Sequence, residues 1–256
     1  MSDEFSEQPV AERPSGVEPE QLPEFGPSLR SLADRYGLDE VAVRRLRQFG
    51  SLLVHDELAP TTVRAPAQVR DDHLADALVA LELPEVLAAR TLADLGAGAG
   101  VPGIPLAIVL PDAQVALVEA NNRKCEFMAR AVALLGLGNV EVVHGRAETW
   151  GPGIGHNDVV TARALAPLDI LAEYAAPLLV LGGVLVAWRG RREPEAEADG
   201  ARAAEILGLQ VKPPVQVTPY RGAEHRYLHV FAKRTETPAR FPRRDGVARK
   251  RPLGRP

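Results

Sequence analysis

The sequence predicts an α/β domain whose doubly wound, mostly parallel sheet of seven strands ends in an antiparallel pair and is preceded by helices. Five short apolar segments alternate with helical segments between residues 85 and 190, and this alternation indicates βαβ units and a parallel sheet. The last two strand-like segments are joined by a short turn, Tyr220-Arg221-Gly222, with no helix between them. That final pair is therefore expected to be antiparallel.

The region before the sheet is predicted to have two parts. Residues 1–27 are rich in Pro, Glu and Ser and lack apolar periodicity, so we predict a disordered acidic tail. Residues 28–84 are predicted to be helical, because apolar residues recur at helical spacing through residue 53, with a break near Gly37. A further helix is expected over residues 68–83, where Pro84 ends it.

The predicted sheet lies within a domain at 85–234. Residues 235–256 follow as a basic tail, predicted to be disordered, which either adds non-specific affinity for phosphate or only aids solubility. The predicted strands cover residues 91–95, 115–119, 140–143, 158–161, 184–188, 210–218 and 227–233.

The composition excludes several functional classes. Cys125 is the only cysteine, which excludes a disulfide framework and a multi-cysteine zinc site. The six histidines show no metal-ligand spacing, so no metal site is expected. A formal net charge of −4 argues against a protein that coats nucleic acid. With no secretory signal and no apolar run long enough for a membrane span, we expect a cytoplasmic protein that does not bind membranes. We also expect it to be a monomer.

The strongest motif is the glycine run that follows the first predicted strand, and it fits two registers. Gly98, Gly100 and Gly103 match the dinucleotide fingerprint G-x-G-x-x-G. Gly96, Gly98 and Gly100 match G-x-G-x-G, with the acid Asp94 two residues before them. A ligand loop should leave its strand directly, and the strand is predicted to end at residue 95. The register that starts at Gly96 is therefore favoured, while a dinucleotide site or a tight turn without a ligand remains an alternative.

Glu119 ends the second predicted strand, about twenty residues after the glycine run. A carboxylate at that point can accept hydrogen bonds from both ribose hydroxyls of a nucleoside. The alternative is a strand-end acid that faces solvent. This signal predicts a nucleoside cofactor without identifying it.

Several segments together resemble one enzyme family. The glycine run with Glu119 is similar to motifs I and II of the class I methyltransferases, and the wider set of segments, in this order, resembles the RsmG family, also called GidB. The resemblance spans residues 73–233 and rests on Gly100-Val101-Pro102-Gly103-Ile104-Pro105-Leu106-Ala107, Arg123-Lys124, Gly145-Arg146-Ala147-Glu148 and Ala162-Arg163-Ala164. That family methylates N7 of a guanine, position 527 in the 530 loop of 16S ribosomal RNA.

The resemblance implies S-adenosyl-L-methionine as cofactor and 16S ribosomal RNA, or the small ribosomal subunit, as partner. No general base is expected because guanine N7 carries a free lone pair, so His73 and Arg163 would position the reactants. The cofactor-binding residues it implies are Asp94, Gly96, Gly98, Gly100, Val101, Glu119, Ala147, Glu148 and Arg163. Contacts with RNA are expected from His73, Arg123, Lys124, Arg146, Arg163 and Arg189.

The chain departs from the family pattern at three places. Ala77 stands where the family has a serine, Arg189-Gly190 replaces a Lys-Gly pair, and residues 55–66 match the family poorly. His73 has an alternative role as a packed or capping histidine.

Two other functions remain open at this stage. The first is a small-molecule methyltransferase, for which the basic residues would be incidental. The second is a nucleotide-binding protein of the NAD type.

Overall fold

A computed structural model describes residues 27–255, so the predicted acidic tail lies outside the described residues except at its last position. Helix α1 (Pro27–Tyr36) is followed by Gly37, whose φ is +62°, and then by α2 (Glu40–His55). The side chain of Asp39 accepts a hydrogen bond from the backbone N–H of Ala42 and so caps the start of α2. No helix within residues 27–255 combines the length and apolar character that a membrane span requires.

The helix predicted over residues 68–83 is one helical path whose winding changes along its length. It consists of α3 (Pro66–Gln68), a π-helical segment (Val69–Ala75), α4 (Asp76–Leu78) and a 3-10 turn (Val79–Glu82), after which α5 (Pro84–Leu87) begins at a proline. In the π-helical segment the carbonyl of Asp72 accepts a hydrogen bond from Arg163, 91 residues away. Such a segment is a common feature of functional sites.

The central sheet confirms the predicted fold class. Its strands lie in the order β3-β2-β1-β4-β5-β8-β6, and the neighbouring pairs among β1 to β5 are parallel. The strands are β1 (Thr91–Leu95), β2 (Gln114–Glu119), β3 (Val140–His144), β4 (Asn157–Arg163), β5 (Leu179–Arg189), β6 (Leu209–Val211), β7 (Val215–Gln216) and β8 (Tyr227–Lys233). They are connected by helices that include α6 (Gly103–Val109), α7 (Asn122–Leu135), α8 (Leu168–Ala175) and α9 (Pro194–Leu207).

Apolar cores lie on both faces of this sheet, which is why its central strands are almost continuously apolar. Leu92 and Val159 face a core that α2, α6 and α7 share. Ala93 and Val160, one residue further along the same strands, face a second core built with α8 and α9. Alternate residues of each strand therefore serve opposite cores.

The antiparallel edge differs in one detail from the prediction. The strand expected over residues 210–218 is split into β6 and β7, which both pair with β8. Pro213 and Pro214 lie between the two parts. Proline has no backbone N–H to donate, so it interrupts the ladder at this point.

The C-terminal segment, residues 235–255, also differs from the prediction. It was expected to be disordered, but it packs against α8 and contains a short helix, α10 (Val247–Lys250). Phe241 and Ala248 are buried in the same core as α8. The basic composition concealed these apolar anchors, and two of the arginines, Arg243 and Arg255, pair with acids of the domain.

Candidate cofactor and substrate site

The glycine loop leaves β1 directly, as the register starting at Gly96 requires. The backbone N–H of Gly96 donates to the carbonyl of Val118 at 2.8 Å, so the loop turns across the end of β2. Gly96, Gly98 and Gly100 have φ values of +64°, +60° and +82°, a region that glycine enters without steric cost. At Gly103 the need is space, because a Cβ there would lie 2.3 Å from a methyl of Leu117.

Asp94 holds this loop from behind and lies outside the pocket. One carboxylate oxygen accepts from the backbone N–H of Gly103 at 2.9 Å, and the other accepts from the hydroxyl of Thr161 at 2.9 Å. The side chain is buried, and burial raises the pKa of Asp94 to about 7 against these two hydrogen bonds. Its contacts are those of a residue that positions the loop.

Glu119 faces the loop from the end of β2. Its carboxylate accepts one hydrogen bond from the backbone N–H of Gly98 at 3.1 Å and another from that of Asn121 at 2.9 Å. The Nζ atom of Lys124 lies 3.9 Å from the same carboxylate. Each carboxylate oxygen can accept more than one hydrogen bond, so acceptor capacity remains for a ligand.

A pocket of about 270 Å³ opens beside this carboxylate at the carboxyl edge of the sheet. Such an edge is where open α/β sheets bind their ligands. The predicted site residues that line it are Gly96, Glu119, Lys124, Arg146, Ala147 and Glu148. Sequence reasoning missed other lining residues, among them Ala164, Leu165, Tyr174 and Arg249. Tyr174 and Arg249 come from α8 and α10, far along the chain from the glycine loop.

The backbone is strained at the rim of this pocket. Ala164 has a φ of +54°, and it is the only non-glycine residue of the described chain in the left-handed region. Backbone strain of this kind persists where the surrounding structure fixes it, and it clusters at ligand sites. The strained residue directly follows Arg163 at the end of β4.

Arg163 is anchored to the π-helical segment and does not line the pocket. One guanidinium nitrogen donates to the carbonyl of Asp72 at 2.6 Å and to the carboxylate of Asp76 at 3.0 Å. The other lies 3.2 Å from Nδ1 of His73. Arg163 therefore fastens the N-terminal helical region to the carboxyl end of β4.

Asp76 is buried, and burial raises its pKa despite the pair with Arg163. Its second carboxylate oxygen has no hydrogen-bond partner among the described residues, although Nε of Arg226 lies 3.4 Å away. The indole N–H of Trp188 donates to the Asp76 carbonyl at 2.8 Å. This buried carboxylate thus depends on two arginines for charge compensation.

His73 is neutral at neutral pH. Burial, with the nearby charge of Arg163 as a second cause, lowers the pKa of His73 to about 4. Nδ1 of His73 lies 3.2 Å from a guanidinium nitrogen of Arg163 and 3.2 Å from the carbonyl oxygen of Asp72, and Nε2 lies 2.9 Å from the hydroxyl of Thr61. Both ring nitrogens are therefore engaged.

The basic residues predicted to contact RNA all lie near the carboxyl edge of the sheet, but they differ in whether their side chains are already held by other residues of the protein. Arg146 is paired with Asp245 at 3.2 Å, and Arg189 donates to the carbonyl of Ala166. Arg123 is exposed at the start of α7, and no acid of residues 27–255 lies within ion-pair distance of it. Arg163 is the most restrained of the set.

These features define a class of protein. A parallel sheet of this strand order, with a glycine loop after β1 and an acid at the end of β2, is the Rossmann-like fold of S-adenosylmethionine-dependent methyltransferases. Among the solved structures that share this fold are two that are both below 25% identical to this chain. A SAM-dependent methyltransferase from Aquifex aeolicus has a TM-score of 0.51 and 19% identity, covering 64% of this chain and 92% of that one. Fibrillarin from Aeropyrum pernix, with natively bound S-adenosyl-L-methionine, has a TM-score of 0.51 and 20% identity, covering 62% and 73%.

The family follows from the sequence comparisons. The family model described as rRNA small subunit methyltransferase G matches residues 47–219. Proteins named ribosomal RNA small subunit methyltransferase G are similar: that of Rubrobacter xylanophilus is 38% identical over 87% of this chain and 83% of its own. That of Deinococcus radiodurans is 37% identical over 88% and 91%. The chain belongs to the rRNA small subunit methyltransferase G family, as the resemblance predicted, and its cofactor is S-adenosylmethionine.

Proposed function

We propose that this protein methylates N7 of a guanine in the 530 loop of 16S ribosomal RNA, at position 527. Membership of the rRNA small subunit methyltransferase G family carries this proposal. We further propose that the protein acts as a cytoplasmic monomer on the small-subunit RNA, either free or assembled. A small-molecule methyltransferase is the competing function, and no feature of the described site favours it.

The residues at the site fit an adenosine-containing cofactor. The carboxylate of Glu119 faces the pocket with acceptor capacity for ribose hydroxyls, and the loop carries no side chain at its three left-handed glycines. We propose that Gly96, Gly98, Gly100 and Val101 border the methionine and ribose side, and that Ala147 and Glu148 flank the adenine. S-adenosylmethionine supplies, when bound, a methyl group activated by a positive sulfur.

The state of the ionisable residues supports a nucleophile that needs no deprotonation. His73 is neutral with both ring nitrogens engaged, Asp94 is buried behind the loop, and Asp76 is paired with Arg163. Within the described chain these groups hold their protons or their partners, so they are poor candidates for a general base. Their work is to fix the loop and the helical region around the reactants, which suits catalysis by positioning. Arg123, Lys124, Arg146 and Arg189 would contact RNA phosphates.

The test is to delete the gene and map N7-methylguanine in 16S ribosomal RNA by borohydride–aniline cleavage and primer extension. We expect the 530-loop modification to disappear and to return with the wild-type gene. Gly98→Asp should not restore it, because the variant places a carboxylate beside that of Glu119 at a left-handed position. Gly138→Asp is the control, since Gly138 is exposed and has open space around it. An unchanged modification pattern after deletion would overturn the proposed RNA target.

A further inference from the structure

The C-terminal segment lies beyond residues 47–219, which match the family model, and yet it reaches the cofactor pocket. It leaves β8 and runs back over α8, where Phe241 and Ala248 enter the apolar core. The hydroxyl of Thr237 donates to the carbonyl of Ala176 at 3.1 Å. These contacts fix the path of the segment up to the point at which it reaches the pocket.

Two buried acids of α8 explain why the segment stays in place. Asp169 and Glu173 are four residues apart, so they lie on one face of the helix, and both are buried. Arg255 donates to the carboxylate of Asp169 at 2.8 Å, and Arg243 pairs through two nitrogens with that of Glu173. An unpaired buried carboxylate is strongly destabilising, so the domain needs these arginines. The segment is an integral part of the fold.

Between these two anchors the segment contacts the residues expected at the adenine end of the pocket. The backbone N–H of Gly246 donates to the carboxylate of Glu148 at 3.3 Å, and Asp245 pairs with Arg146. Arg249 lines the pocket itself and donates to the carbonyl of Leu165 at 3.1 Å. Burial raises the pKa of Tyr174, another lining residue, while Arg249 acts in the opposite direction.

We propose that the C-terminal segment forms the outer wall of the adenosine pocket and that Arg249 is a cofactor-binding residue. A guanidinium plane is a suitable neighbour for an aromatic base, and its position at the pocket limits the access of water to that base. The basic residues of this segment then serve the cofactor and the fold, in place of the RNA-binding or solubilising role that composition alone suggests. The proposal rests on the cofactor and is independent of the RNA substrate.

The experiment compares Arg249→Ala with Lys250→Ala in the full chain, by calorimetric titration with S-adenosylhomocysteine and with adenosine. Lys250 is the matched control because it is the neighbouring exposed cation of α10 and does not line the pocket. We expect Arg249→Ala to raise the Kd of both ligands about fivefold to tenfold, and Lys250→Ala to change them less than threefold. Circular dichroism and thermal melting establish that each variant is folded, and Arg249→Gln serves as a second variant.

Three results would overturn the proposal. The first is a change of less than threefold for Arg249→Ala, and the second is an equal loss for Lys250→Ala, which would indicate a general charge effect. The third is a loss confined to S-adenosylhomocysteine, because the wall lies on the adenosine side. Failure of the RNA assignment is distinguishable: the wild-type protein would bind S-adenosylhomocysteine normally but leave 16S ribosomal RNA unmethylated.

Discussion

Arg163 provides a sharp test of the site, because the resemblance placed it at the cofactor while its contacts are those of an anchor. In the variant Arg163→Met the carboxylate of Asp76 stays buried and loses the partner that lies 3.0 Å away. The carbonyl of Asp72, which accepts at 2.6 Å, also loses its donor. We therefore expect the principal effect to be on stability, because a buried charge loses its nearest partner and keeps only Arg226.

The magnitude follows from the burial of this pair. Breaking a buried ion pair by removing one partner costs about 3–5 kcal/mol. The side chain of Arg163 is 21% exposed, against 7% for Asp76, and Arg226 remains 3.4 Å from the second carboxylate oxygen. Both facts reduce the loss, so we expect the free energy of unfolding to fall by about 2–3 kcal/mol.

The assay is urea unfolding followed by circular dichroism and tryptophan fluorescence, with Arg44→Met as the control. Arg44 is exposed on α2, and its replacement should change stability by less than about 0.5 kcal/mol. The double variant Arg163→Met/Asp76→Asn removes the stranded charge. It should therefore be about 1 kcal/mol more stable than Arg163→Met alone. Trp188 contributes a local signal because its indole donates to the Asp76 carbonyl.

Either of two results would refute this reasoning. If Arg163→Met loses less than about 1 kcal/mol, Asp76 does not depend on the pair. If Asp76→Asn makes the arginine variant still less stable, the loss has another origin. In the first case Arg163 would be free to act on the cofactor or the RNA, and its replacement should lower the affinity for S-adenosylhomocysteine without a loss of stability.

Three further predictions concern the loop and its surroundings. In the wild type, two backbone N–H groups donate to the carboxylate of Glu119, and Glu119→Gln places an amide donor against them. Calorimetry should therefore show at least a roughly tenfold weaker affinity for S-adenosylhomocysteine. An unchanged Kd would contradict the assignment of Glu119 to the ribose. Gly103→Ala forces a methyl to within 2.3 Å of Leu117 in β2 and should lower the free energy of unfolding by about 1–3 kcal/mol. The control Gly138→Ala, which adds its methyl in open space, should change the free energy of unfolding little. Equal effects of the two variants would disprove the packing argument. The pKa of His73 is about 4 in the folded protein against 6.5 in the unfolded chain, so its contribution to stability is complete above pH 6.5 and declines as the pH falls towards 4; His73→Gln should remove this decline. Burial raises the pKa of Asp94 to about 7, so the contribution of Asp94 to stability changes with pH in the opposite direction. The quantity to measure is therefore the difference in the free energy of unfolding between wild type and His73→Gln, followed from pH 6.5 down to pH 4. A difference that stays constant over this range would exclude the effect of His73.

The path of the C-terminal segment shows why composition misled the sequence analysis. Arginine- and proline-rich tails are usually disordered because they bury little apolar surface. Here the compensation lies elsewhere in the chain, since Asp169 and Glu173 on an otherwise apolar helix require cationic partners. Two acids at helical spacing within an apolar helix were the available signal. Their partners could not be identified without the fold.

The sequence by itself determined the strand–helix alternation, the antiparallel edge, the glycine register and the acid at the end of β2. Each of these depends on local periodicity, or on backbone conformations that only glycine adopts easily, and both are encoded within a few neighbouring residues. Only the tertiary structure decided that Asp94 lies behind the loop, that Arg163 is anchored to Asp76, and that Arg249 reaches the pocket. Those arrangements join residues separated by nine to more than eighty positions, and they depend on which charges become buried together when the layers pack.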